Sequence, residues 1–189
     1  MSVFTDMMYF DSHAHYYDER FEEEAEGGAN ALLSSHIGSD VSFIINVGTC
    51  PETSLLAIEQ AKRYDNMYTA IGIHPSDTRF LIDMDSDLAK TEELILNPEN
   101  KCVALGEIGL DYHYPDTDCE KQMQYFTAQM QMAERLSLPV VIHDRDAHED
   151  VMDVIRKFPK VKGILHSFSG SAEMAKELVK LGYLISVII

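Results

Sequence analysis

Apolar runs alternate along the chain with segments whose apolar residues recur at helical spacing; each run is near-continuous, and four of them stop at residues able to bind a metal ion. Uninterrupted apolar strands are the mark of a parallel sheet covered by helices. The metal-binding residue types decide between the two architectures that share this pattern. An open doubly wound sheet places its site at a switch point served by two neighbouring strands, whereas a closed barrel gathers residues from the C-terminal ends of many strands over one mouth. Candidates here come from the first, fourth, fifth and sixth strands. The sequence therefore predicts an α/β fold, a TIM-type (β/α)8 barrel with about seven of its strands present.

The first strand leads into Tyr9-Phe10-Asp11-Ser12-His13-Ala14-His15. On an extended strand a period of two puts His13 and His15 on one face. An acidic stretch, 16–26, breaks at Gly27-Gly28; residues 29–37 then carry Leu32, Leu33 and Ile37 at helical spacing, with Gly38 as the stop. A short buried strand, 42–48, precedes Pro51, which a first helical turn tolerates, and Leu55, Ile58 and Ala61 mark one face of that helix. The third strand, 67–73, ends at His74-Pro75, where proline stops the ladder. A loop over 76–100 holds a helix near 88–96.

The fourth strand, 102–106, closes on Glu107, and Gly106 and Gly109 let the backbone approach whatever the carboxylate holds. Thr117 with Glu120 reads as a capping box. The helix it opens shows Met123, Phe126, Met130 and Ala133 on one stripe, methionines that pack a core rather than hold a cofactor. The fifth strand, 139–142, closes on His143, and Val151, Val154, Ile155 and Phe158 point inward from the next helix. The sixth, 161–165, closes on His166; Ser171 caps a helix with Met174, Leu178 and Leu181 that Gly182 ends. A seventh strand runs from Tyr183 to Ile189.

With 189 residues, 46% of them hydrophobic, the chain fills one substantial core, and residues 1–189 read as a single domain. Lys and Arg number 15 against 32 Asp and Glu, a formal charge of −17. Such a chain repels DNA at long range, so nucleic-acid chemistry would need local positive charge, and bound divalent metal supplies it. Solubility is the plainer reason for the acidity. Cys50, Cys102 and Cys119 are odd in number and far apart, which fits reduced thiols in a cytoplasm. Met1–Asp6 lacks a basic segment followed by an apolar core, and no stretch approaches ~18 apolar residues. A cytoplasmic location with no membrane partner is the expectation.

Imidazole nitrogen and carboxylate oxygen suit zinc and similar metals, and two ions about 3.5–4 Å apart are a recurrent hydrolytic arrangement. His13, His15 and Glu107 would take one ion, and Glu107, His143 and His166 the other. Each residue also has a plainer reading. Glu107 could pair with Arg145, His143 could be a loop histidine, and His166 could cap the following helix.

Five stretches carry more than this chemistry: Asp11-Ser12-His13-Ala14-His15, Gly72-Ile73-His74-Pro75, Gly106-Glu107-Ile108-Gly109-Leu110-Asp111-Tyr112, Val141-Ile142-His143-Asp144-Arg145 and His166-Ser167-Phe168-Ser169-Gly170. In order and approximate spacing the chain resembles the TatD-type metal-dependent hydrolases over essentially its whole length. The resemblance implies an amidohydrolase-type barrel with two divalent metals, usually described as a deoxyribonuclease. By that likeness His13 and His15 bind the first metal, Glu107 bridges, and His143 and His166 bind the second. His74 lines the pocket and donates to a phosphate oxygen. Tyr112, Arg145 and Ser167 lie beside matched motifs and are candidates for substrate contact, with wall packing an equal reading of Tyr112. The family also places an aspartate after the eighth strand, completing the first metal site and serving as base. This sequence ends before that point, so it is expected to lack the family's C-terminal part.

Three functional expectations follow. The leading one is a hydrolase cleaving DNA phosphodiester bonds with a metal-activated water, Glu107 and His74 being its catalytic residues. The second is hydrolysis of a small phosphoester or amide by the same two metals; zinc, manganese and magnesium all accept these ligands. The third is an inactive remnant that binds metal and a partner. A gap in the barrel would expose strand edges, so self-association is expected.

Overall fold

The computed structural model describes residues 9–37 and 39–187; the readings placed on Met1–Asp6, Gly38, Ile188 and Ile189 lie outside the described residues. Seven parallel strands form one sheet in sequence order: β1 (Tyr9–Ala14), β2 (Val41–Val47), β3 (Met67–Ile71), β4 (Cys102–Asp111), β5 (Val140–Arg145), β6 (Gly163–Leu165) and β7 (Leu184–Ile185). Helices α1 (Arg20–Glu24) and α2 (Gly28–His36) follow β1, and α3 (Pro51–Ala61), α4 (Met84–Leu96), α5 (Cys119–Leu136), α6 (His148–Lys157) and α7 (Ala172–Lys180) follow β2 to β6 in turn. An order without reversal is that of a barrel wall, since a doubly wound sheet reverses at its switch point. The sheet curls into a partial barrel with its helices outside, the TIM-like α/β fold predicted from the sequence.

The core lies between strands and helices. Ile44, Leu105, Ile108, Ile142 and Leu165 are fully buried, as are Phe126, Met130 and Ala133 of α5, Val151 of α6 and Leu178 of α7. Each of the larger side chains among them contributes about 1.5–3 kcal/mol when removed from water. Among the described residues no helix is long and apolar enough to cross a membrane. Tyr9 and Phe10 on the edge strand β1 and Leu184 on β7 are mostly exposed.

Five elements depart from the sequence reading, the first four for a local reason. β4 does not stop at Gly106 but continues to Asp111, pairing Gly109 with His143 and Asp111 with Arg145. Gly109 has φ +138°, and any Cβ there would collide with the His143 carbonyl, so this glycine marks the close approach of the neighbouring strand. His143 accordingly lies inside β5 rather than beyond it. β3 ends at Ile71 because a side chain replaces the ladder: Gln129 of α5 accepts from Ile73 N at 2.7 Å and donates to Ile73 O at 3.0 Å. The cap of α5 is Asp118, whose carboxylate accepts from Lys121 N at 3.0 Å, not Thr117. β7 is regular only over Leu184–Ile185 within the described residues.

Candidate metal centre

β1 carries His13 to the C-terminal mouth of the sheet, and His15 follows just past its end. Asp11 sets the local turn, its carboxylate accepting from His13 N at 3.2 Å and from the Tyr16 hydroxyl at 3.3 Å. The Nε2 atoms of His13 and His15 lie 3.0 Å apart. Glu107 Oε2 lies 3.2 Å from His13 Nε2 and 3.8 Å from His15 Nε2. In a tetrahedral site with bonds near 2.1 Å, neighbouring ligand atoms stand about 3.4 Å apart. That triangle therefore has the size of one face of a zinc-like coordination shell. His13 Nδ1 is buried and has no hydrogen-bond partner among the described residues.

Glu107 is 3% exposed, and its other oxygen faces a different set of rings. Oε1 lies 3.0 Å from His143 Nδ1, 3.8 Å from His74 Nε2 and 4.0 Å from His166 Nε2. The His166 ring stacks on His13 with centroids 3.5 Å apart. One carboxylate thus stands between His13 and His15 from the end of β1 at one oxygen and His74 and His143 at the other, and His166 from the end of β6 lies 4.0 Å from Oε1 while stacking on His13.

Outer partners give each ring a polarity. His15 Nδ1 lies 2.7 Å from the Val47 carbonyl, which only accepts, so Nδ1 carries the proton and Nε2 presents a lone pair inward. His74 is the reverse. Its Nδ1 accepts from Ser76 N at 3.1 Å, so the neutral ring points an N–H at Glu107, which suits donation to a substrate oxygen better than coordination. His143 faces carboxylates on both sides, Glu107 at Nδ1 and Asp111 Oδ2 at 3.1 Å from Nε2.

The charges agree with a cation-binding cluster. Burial opposes ionisation of Glu107, but hydrogen bonds from His13 and His143 outweigh it and hold the carboxyl well below its usual range. Burial pushes His74 and His166 down to about 4 and also lowers His15. For His143 burial works downward, while the bonds and charges of Glu107 and Asp111 prevail and raise it. Near neutral pH the cluster offers the Glu107 carboxylate and, at His15, His74 and His166, neutral imidazoles, the forms that ligate divalent metals. The residues present therefore fit such ions.

The cavity over the cluster measures about 490 Å³, and besides the histidines and Glu107 its wall includes Asp11, Tyr16, Arg20 and Phe21. The structure does not bring Tyr112, Arg145 or Ser167 to that wall. The Tyr112 hydroxyl donates to Asp150 at 2.8 Å. Arg145 is exposed over the Tyr114 ring at 5.8 Å, and so does not pair with Glu107. Ser167 is half-buried in the turn after β6, with φ +49°. His166 does not cap α7; Ser171 does, accepting from Met174 N. Sequence reasoning missed Asp111, although a strand period of two places it on the same face as Glu107. It also missed Arg20, whose place on the wall depends on how α1 folds back and has no signal in the pattern.

The chain matches the family described as TatD related DNase over residues 10–189. It belongs to that family. An uncharacterized metal-dependent hydrolase, YabD of Bacillus subtilis, is 38% identical to this TatD-family chain over 182 residues, covering 95% of it and 68% of the relative. An uncharacterized metal-dependent hydrolase of Haemophilus influenzae is 33% identical over 189 residues, covering 96% and 70%. The crystal structure of YjjV, a TatD homologue from Escherichia coli, aligns with a TM-score of 0.83 at 29% identity, over 94% of this chain and 66% of that one. The TatD-family chain thus spans about two thirds of the length of the relatives it matches.

Proposed function

We propose that this TatD-family chain carries the two-cation centre of a hydrolase that cleaves DNA phosphodiester bonds with water. The observation that carries the reading is the division of Glu107, one oxygen facing His13 and His15 and the other facing His143, His74 and His166. His13 and His15 would hold one ion, His143 and His166 the other, with Glu107 bridging. When bound, zinc, manganese or magnesium would make a water a nucleophile near neutral pH and steady the charge developing on a phosphoryl oxygen. The chain's own groups do the rest. Glu107 fixes the spacing of the two halves, buried where it cannot swing away. His74 points its Nε2–H into the cavity, where it would donate to a phosphate oxygen.

The DNA substrate is supported by the family's description, while the relatives are described only as metal-dependent hydrolases. A second reading, hydrolysis of a small phosphoester or amide, is favoured by the charge of −17 and by Arg20 being the sole Lys or Arg on the cavity wall among the described residues. The deciding experiment assays the chain, supplied with manganese or zinc, on single-stranded DNA and on a panel of small esters, beside Glu107→Ala. Metal-dependent DNA cleavage that the variant loses is the expected result. Full activity of Glu107→Ala would remove the assigned centre, and ester cleavage without DNA cleavage would replace the substrate.

A further inference from the structure

We infer that Asp111 is the positioning residue that sets which nitrogen of His143 faces the cation: its carboxylate holds the Nε2 proton, so that Nδ1, which donates to Glu107 in the metal-free cluster, is the nitrogen that gives up its proton and turns its lone pair to an ion. The inference rests on the metal reading of the cluster and concerns a residue to which that reading gives no part. Asp111 is 4% exposed on β4, four residues beyond Glu107. Its Oδ2 lies 3.1 Å from His143 Nε2, and its Oδ1 accepts from His113 N at 3.1 Å. Its own N–H donates at 2.9 Å to Gln122 Oε1, a buried side chain of α5. The carboxylate is therefore anchored through its backbone, through its second oxygen and by burial, and cannot follow the imidazole if the ring turns.

The two ends of the His143 ring are not equivalent. At Nδ1 stands Glu107 Oε1, which also has His166 Nε2 within 4.0 Å. At Nε2 stands Asp111, whose other oxygen is already engaged by a backbone N–H. A cation gathering several donors is served at the first end only. An imidazole that ligates through one nitrogen keeps its proton on the other, and an acceptor there fixes both tautomer and orientation. His15 uses the same device on the opposite side of Glu107, with the Val47 carbonyl as its acceptor at 2.7 Å. His143 has a charged acceptor instead, which raises the ring's basicity as a ligand.

Two measurements test this. In the zinc-loaded wild-type protein, nitrogen-15 NMR of the histidine rings should find the His143 proton on Nε2 and zinc on Nδ1. By competition with a chromophoric chelator, Asp111→Asn, which keeps the side-chain volume and removes the charge, should bind zinc about 10–100-fold more weakly. A proton on Nδ1 of the zinc-loaded wild type overturns the inference alone and needs no variant to fold. Wild-type zinc affinity in Asp111→Asn overturns it too. Failure of the wild-type protein to bind zinc at all removes the metal reading, and this inference with it.

Discussion

Gln129→Met should cost the metal-free protein about 1–4 kcal/mol, because a helix side chain here does the work of a missing strand. Gln129 is 0% exposed and its amide serves both backbone groups of Ile73, which is itself 1% exposed. Methionine fills nearly the same volume, so packing contributes little to the difference. The substitution leaves one buried N–H and one buried carbonyl unpaired at about 1–3 kcal/mol each, or about 2–6 kcal/mol together. No longer burying the amide offsets about 1–2 kcal/mol of that. Urea denaturation in excess chelator, followed by circular dichroism, reads the change as a lower midpoint at unchanged slope. Gln124→Met, on the exposed face of the same helix, should stay within about 0.5 kcal/mol of wild type. A Gln129 variant that also stays within that margin would refute the claim that its amide closes β3.

Three further outcomes are expected. His74, pushed down to about 4 by burial, binds its proton less readily folded than unfolded, so its contribution is complete above pH 6.5 and is lost as pH falls toward 4, to about 3 kcal/mol. His143 is shifted the other way, so the His74 share is read as the difference between wild type and His74→Gln in chelator, and parallel acid limbs would contradict it. Asp118→Ala should lower stability by about 1 kcal/mol and Thr117→Ala by less than half of that, which thermal melts of the two variants would check; equal losses would return the cap to Thr117. The exposed aromatic edge of Tyr9, Phe10 and Phe43 should drive self-association that Phe10→Lys reduces; light scattering showing identical monomers for both proteins would speak against it.

The pair His13 and His15 is a local fact, because two residues apart on an extended chain share a face whatever lies around them. Strand order was legible for a related reason: each apolar run is long enough to be buried and is separated from the next by one amphipathic helix. The glycines at 106 and 109 signal close approach to whatever Glu107 holds, whereas the structure presses them against Val141 and His143 of β5, a neighbour that the local pattern does not name. Nothing in the sequence marks Gln122 and Gln129 as buried, because polarity says nothing of a partner that arrives from another element.

Sequence alone therefore determined the kind of donors, their order along the chain and the sheet that carries them. The tertiary structure alone decided that Glu107 divides its two oxygens between rings from different strands, that Asp111 stands behind His143, and that Tyr112 and Arg145 turn elsewhere. The reason is range: dihedral preferences and apolar periodicity act over a few residues, whereas a coordination shell is assembled from atoms dozens of residues apart, brought within 4 Å by the curvature of the sheet.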